Sequence, residues 1–168
     1  CTHETLDERT VADHANAEIV TTFISSRLGG EVLTHLPNLK LIATRSTGYD
    51  HIDLGHCAAH GIMVCNVPDY GDHTVAEHAF ALLLAVSRHL VEAVERTRRG
   101  DFSTAGLRGF DLRGRTLGVI GTGRIGRRAI EIDKGFGMEV VAFDVHPDAE
   151  TARSFGFRYA PLEQVLAE

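Results

Sequence analysis

The sequence predicts an α/β protein built on two parallel sheets, both incomplete, and three observations carry that expectation. Short β-rich runs alternate with helical patterns along the whole chain, as parallel strands with crossover helices require. A stretch of 28 residues without Gly or Pro, Asp72 to Arg99, separates two such sets. The turn cluster Pro68-Asp69-Tyr70-Gly71-Asp72 stands before it and sets a boundary near residues 71 to 73. The expected organisation is a partial domain over 1–72 and another over 73–168.

The β-rich runs are Glu18 to Ser25, Leu39 to Ser46, Ile62 to Val67, Thr116 to Ile120 and Met138 to Phe143. Leu28 to Leu36 and Ile52 to His60 lie between the first three and have the length a βαβ crossover needs. The stretch from Asp72 to Arg99, as one helix, would reach roughly 40 Å. Its first half, Val75 to Val86, is apolar nearly all round, so a single core face cannot satisfy it. Its second half is charged, with Glu92/Arg96 and Glu95/Arg99 one helical turn apart. A helix over about 73–99 is therefore expected to link the domains and to pack against a second subunit. The chain begins with Cys1 rather than Met and stops within the helical pattern Leu162 to Glu168, so both ends are expected to be cut.

Composition narrows the function classes. Seventeen Lys and Arg stand against 23 Asp and Glu among 168 residues, a net charge of −6 with a pI near 5.9. That leaves no basic footprint for nucleic acid. The longest uninterrupted apolar run, Ala79 to Val86, is eight residues, too short for a bilayer, and Cys1-Thr2-His3-Glu4 is no signal peptide, so a cytoplasmic protein is expected. Three cysteines, Cys1, Cys57 and Cys65, argue against a disulfide framework. His51, His56, Cys57, His60 and Cys65 form the densest group of metal-ligand types, yet no C-x-x-C or H-E-x-x-H spacing occurs. Exposed histidines and core cysteines are expected there, and no metal.

The sharpest motif follows the strand Thr116 to Ile120: Gly121-Thr122-Gly123-Arg124-Ile125-Gly126, then the helical stretch Arg127 to Lys134, then a strand ending at Asp144. In G-x-G-x-x-G each glycine has its own task. Gly121 makes the tight turn, Gly123 lets backbone approach a pyrophosphate, and Gly126 permits close helix-to-strand packing. The helix N-terminus supplies N–H groups and partial positive charge. Asp144 lies 18 residues past Gly126, close to the roughly 20 expected of the acid that accepts the ribose hydroxyls. No Arg or Lys stands in Val145-His146-Pro147 to neutralise a 2′-phosphate, so NAD is expected rather than NADP.

Several linked motifs resemble those of the D-isomer-specific 2-hydroxyacid dehydrogenases over nearly all of the chain. They are Leu41 to Asp53 with its Ser46-Thr47-Gly48 turn, Asn66-Val67-Pro68, and Thr74-Val75-Ala76-Glu77-His78. Thr97 to Ser103, Gly109-Phe110-Asp111-Leu112 and Gly135-Phe136-Gly137-Met138 look most like the D-lactate dehydrogenase branch. The resemblance implies a flavodoxin-like catalytic domain and a Rossmann NAD-binding domain with a cleft between them where a nicotinamide meets a 2-oxo acid. It implies that backbone groups of Ser46, Thr47 and Gly48 hold the substrate carboxylate, with Tyr70 near the cleft and Val75 near the nicotinamide. It also implies that Arg124 and Ile125 sit over the pyrophosphate, with Asp144 on the ribose.

The family's catalytic Arg, Glu and His fall beyond the point matching Glu168, and its first strand before Cys1, so the chain is expected to be an internal fragment without turnover of its own. Glu77 and His78 point about 100° apart on a helix and form no dyad. His73 reads as a solvated histidine and Arg45 as an anion contact or a surface ion pair. The leading expectation is interconversion of D-lactate and pyruvate by a homodimer, with glyoxylate or hydroxypyruvate behind it. An NAD-responsive binding protein without turnover, like some corepressors of this fold, is the alternative class.

Overall fold

The computed structural model describes residues 5–168, and Cys1 lies outside them. Contacts divide the chain into two compact units, one ending at Tyr70 and the other beginning at Gly71.

The first unit contains a short 3-10 turn, Val11–His14, and three parallel strands, β1 (Ile19–Thr22), β2 (Leu41–Thr44) and β3 (Met63–Cys65), in the order β1-β2-β3. Helices α1 (Gly30–Leu33) and α2 (Leu54–Ala59) make the crossovers, and the Asp53 carboxylate caps α2 by accepting from the N–H of His56 at 2.9 Å. Val20, Ile42 and Val64 are in register and face a core that includes Leu28, Val32, Leu33, Leu36 and Cys57. Their neighbours Ile19, Leu41 and Met63 line up on the opposite face, where Ile19 and Met63 are exposed. Cys65 is exposed as well, which corrects the expectation of a core cysteine there, because the outer residues of β3 lie on the uncovered face. All three strands are shorter than their β-rich runs. Phe23 and Ile24, for example, continue the apolar pattern of β1 outside its ladder.

The second unit opens with the segment expected to be one long helix, and here the expectation fails. It forms α3 (Asp72–Ser87) and α4 (Leu90–Arg98), bent by 63°. Ser87 O accepts a hydrogen bond from Phe110 N at 3.0 Å instead of continuing the helix, and Gly109 passes so close that a Cβ on it would lie 1.9 Å from that carbonyl. The returning loop thus takes an acceptor the helix needed. His89 absorbs the turn in the left-handed region at φ 50°. Among the described residues no single helix is long and apolar enough to cross a bilayer.

Beyond α4 come β4 (Thr116–Ile120), α5 (Arg124–Phe136), β5 (Glu139–Phe143), α6 (Ala149–Phe155), β6 (Arg158–Tyr159) and α7 (Leu162–Ala167). The strands form a second parallel sheet in the order β4-β5-β6, with β4 and β5 in register from Thr116↔Glu139 to Ile120↔Phe143. Val119, Ile130, Val140 and Ala142 form its core. Helix α5 also packs along α3, where the rings of Phe80 and Phe136 stack at 5.5 Å. The two-residue strand β6 is too short to register as a β-rich run in the sequence.

Candidate dinucleotide and anion site

Each glycine of the 121–126 loop answers to a different constraint. Gly121 leaves β4 at φ +92°, a conformation that L side chains rarely adopt. A Cβ on Gly126 would lie 2.0 Å from Gly121 O, so the first turn of α5 needs a bare backbone there. Gly123, the N-cap of α5, has an extended backbone at φ −64°, and a Cβ on it would meet nothing within 4 Å. Neither strain nor internal packing therefore demands glycine at 123, and the space in front of it faces outward. The N–H groups of Arg124, Ile125 and Gly126 have no acceptor within the helix, since the first intrahelical bond of this turn runs from Arg127 N to Gly123 O. Small backbone, free donors and the positive end of a 13-residue helix make a cradle for phosphate.

The loop is fastened to the tip of β5. One oxygen of Asp144, Oδ2, accepts from the N–H of Thr122 at 2.6 Å and from its hydroxyl at 2.8 Å, while Oδ1 accepts from His146 N at 2.9 Å. Because the single Thr122 hydroxyl proton goes to Asp144, the 2.7 Å contact between Thr122 Oγ1 and the Tyr159 hydroxyl has tyrosine as donor. Hydrogen bonds from His146 and Thr122 hold the Asp144 carboxyl down to about 2, so it is ionised at neutral pH. Arg127 adds a bond from Nε to Thr122 O at 2.9 Å. The expectation for Asp144 was a ribose contact alone. It is also the anchor of the glycine loop, with Oδ1 keeping an unused lone pair.

Arg124 and Ile125, expected over the pyrophosphate, occupy the first turn of α5. The Arg124 guanidinium makes an ion pair with the half-buried Asp72 at the start of α3, Nε to Oδ2 3.1 Å, and Ile125 is exposed. Val75, one turn into α3, is exposed too.

In the first unit the residues expected to hold a carboxylate form a turn just after β2. All three carbonyls are engaged: Ser46 O by Val67 N at 3.1 Å, Thr47 O by Asn66 Nδ2 at 2.8 Å, and Gly48 O by the Ser46 hydroxyl at 2.7 Å. The backbone N–H groups of Ser46, Thr47 and Gly48 have no acceptor among the described residues. Successive N–H groups without acceptors favour an anion. The Thr47 hydroxyl donates to Val67 O at 3.0 Å, so three hydrogen bonds tie the turn to Asn66 and Val67, just after β3. Tyr70 is exposed.

His73, Glu77 and His78 are exposed on α3, and Arg45 lies 6.0 Å from the centroid of the Phe23 ring. His56 on α2 and His60 just past its C-terminal end stack at 4.0 Å, and among the described residues no group of three metal-ligating side chains is placed to hold a metal ion. His51 and His56 depart from the exposed histidines expected, since both are half-buried, and the His51 ring lies 3.2 Å from the Thr44 hydroxyl.

Residues 1–151 match the model of the D-isomer specific 2-hydroxyacid dehydrogenase, catalytic domain. The chain belongs to this family. It is 38% identical over 165 residues to the D-lactate dehydrogenase of Escherichia coli, covering 97% of this chain and 50% of that protein. It is 35% identical over 160 residues to the glyoxylate reductase of Pyrococcus furiosus, covering 91% and 48%. Among solved structures, the D-lactate dehydrogenase of Aquifex aeolicus complexed with NAD and lactic acid superposes with a TM-score of 0.85 at 38% identity, covering 93% of this chain and 47% of that one. The chain spans about half the length of the curated relatives it matches. Sequence reasoning named Gly121, Gly123, Gly126 and Asp144 but missed Thr122, Arg127 and Tyr159, which fasten the loop to the tip of β5, to α5 and to β6. Thr122 had a signal, as the polar residue between two motif glycines; Tyr159 had none, because its strand was not visible.

Proposed function

We propose that this chain carries the NAD-binding and carboxylate-binding parts of an NAD-dependent dehydrogenase that interconverts a D-2-hydroxy acid and a 2-oxo acid, with D-lactate and pyruvate as the favoured pair. The observation that carries the reading is the cradle at Gly123, a position glycine occupies for no reason internal to the chain. The relatives named for D-lactate and glyoxylate, and a solved relative holding NAD and lactic acid, support the reaction class.

The parts then divide the work. Bound NAD supplies the acceptor and donor of the hydride, which no side chain provides. Gly121, Gly123 and Gly126 let backbone meet the pyrophosphate, and the N–H groups of Arg124 and Ile125 point charge at it. Asp144 offers Oδ1 to a ribose hydroxyl and, as a fixed carboxylate, opposes a 2′-phosphate, which selects NAD over NADP. The N–H groups of Ser46, Thr47 and Gly48 take the substrate carboxylate, Tyr70 borders it, and Val75 lies against the nicotinamide. Proton transfer and polarisation of the carbonyl belong to the Arg, Glu and His that the family resemblance places after Glu168. The exposed apolar residues Leu82 and Val86 of α3 supply a face for a second copy.

The test is oxidation of NADH with pyruvate, glyoxylate and hydroxypyruvate, run on these 168 residues and on the longer gene product. Turnover only by the longer protein, with pyruvate best, is expected. Turnover by the short chain overturns the division of labour, and NAD binding by both without any turnover favours a non-catalytic NAD-binding protein.

A further inference from the structure

We propose that Thr44 and His51 are positioning residues for the Ser46-Thr47-Gly48 turn, acting through a one-way chain of hydrogen bonds that runs from the His51 ring through two buried hydroxyls to Gly48 O. This rests on reading the turn as the carboxylate site and adds the device that shapes it.

The direction of the chain follows from counting protons. Gly48 O is a carbonyl and only accepts, so the Ser46 hydroxyl spends its one proton there, at 2.7 Å. The 2.6 Å contact between Thr44 Oγ1 and Ser46 Oγ must therefore be a donation by Thr44. With the Thr44 proton spent, the 3.2 Å contact to His51 Nε2 is a donation by the ring, which fixes the tautomer carrying its hydrogen on Nε2. Thr44 and Ser46 are 2% and 3% exposed, so water does not substitute for a missing link.

The consequence is geometric. Ser46 turns its hydroxyl away from any ligand and pulls the Gly48 carbonyl inward, while Val67 N and Asn66 Nδ2 hold the carbonyls of Ser46 and Thr47. With every acceptor of the turn bound to protein, an arriving carboxylate meets N–H groups and no opposing carbonyl. Thr44 touches no ligand in this scheme; it keeps Gly48 from rotating its oxygen toward one. His51 ends the chain and sets its polarity.

Kinetics and a spectroscopic signature test this on the full-length protein. Thr44→Val keeps the shape and loses the hydroxyl, whereas Thr44→Ser keeps the hydroxyl. The expected result for Thr44→Val is a KM for the best 2-oxo acid raised about tenfold, the loss of roughly one buried hydrogen bond, with the Kd for NADH unchanged. Thr44→Ser restores KM to within about twofold. Long-range 1H–15N spectra of the unaltered protein should show His51 hydrogenated on Nε2, a reading that needs no folded variant. A hydrogen on Nδ1 instead, or a wild-type KM in Thr44→Val, overturns the relay while leaving the carboxylate site standing. Failure of the unaltered protein to bind any 2-oxo acid, with NADH still bound, overturns the site and the relay with it.

Discussion

Thr122 gives both of its hydrogens, the backbone N–H and the hydroxyl, to one oxygen of Asp144, at 2.6 and 2.8 Å. The glycine loop after β4 and the tip of β5 are thereby a single unit, and the residue that would face the ribose also fixes the loop that would face the phosphates. Asp144→Asn should weaken NAD binding by about tenfold or more, because a charged acceptor of three hydrogen bonds becomes a neutral one. Discrimination against NADP should fall in the same variant. Thr122→Val and Tyr159→Phe should weaken NAD in that order and less. Titration calorimetry with both dinucleotides measures all three, and an Asp144→Asn variant with unchanged NAD affinity would contradict this coupling. The carboxyl is depressed to about 2, so its contribution to the folded loop is present above its ordinary value near 3.8 and is lost only as pH falls through 2.

The three motif glycines should separate cleanly on substitution by alanine. Gly126→Ala forces a Cβ to 2.0 Å from Gly121 O and should destabilise the fold by about 1–3 kcal/mol or more. Gly121→Ala, strained at φ +92°, should cost about 1 kcal/mol. Gly123→Ala should change stability by no more than about 1 kcal/mol, the ordinary effect at an N-cap, while reducing NAD affinity at least about tenfold. Thermal melts with and without NAD give both quantities. A Gly123→Ala protein that binds normally would remove the observation on which the dinucleotide site rests.

These glycines also show what the sequence could and could not reveal. The tight turn at Gly121 and the close packing at Gly126 were legible because backbone strain and close approach are local, fixed by a spacing that a strand and a helix impose. The same holds for β4 at Thr116–Ile120, whose ends coincide with its β-rich run. The break at His89 was not legible. No Gly or Pro marks it, and its cause is a carbonyl of Ser87 captured by Phe110, 23 residues away. Tyr159 and the His51–Thr44–Ser46 relay were hidden for the same reason, since hydrogen bonds between distant segments leave no periodic trace. Cys65 misled because a short apolar run suggests burial on both faces, whereas in β3 only Val64 packs on the core.

Helix α3 should carry an association surface. Ala76, Phe80 and Ser87 are buried against its own unit, while Leu82 and Val86 are 55% and 71% exposed on another side. Their spacing of four residues keeps Leu82 and Val86 along one helix face. Leu82→Glu should leave the longer protein folded and convert it from dimer to monomer, as read by circular dichroism and by light scattering after size exclusion. A dimer that survives this substitution would place the second copy elsewhere.

Asp133 should make stability depend on pH in the unusual direction. It sits fully buried in α5, and neither carboxyl oxygen has a hydrogen-bond partner. Charged groups on the elements packed against α5 turn outward or pair elsewhere: His73, Glu77 and His78 on α3, Glu139 on β5, and Glu150 and Arg153 on α6 are exposed, and Asp72 is held by Arg124. Burial alone pushes the Asp133 carboxyl up from 3.8 to about 6. The folded state thus holds this proton more tightly than the unfolded chain does. Its stabilising effect is complete below about pH 4, is lost as pH rises through 6, and amounts to roughly 3 kcal/mol across that window. Asp133→Asn should flatten melting temperature against pH between 4 and 6 and raise it at pH 7.5, since an amide needs no proton to stay neutral. A wild-type profile already flat through that window would mean that the carboxylate finds a partner in solution that the fold does not supply.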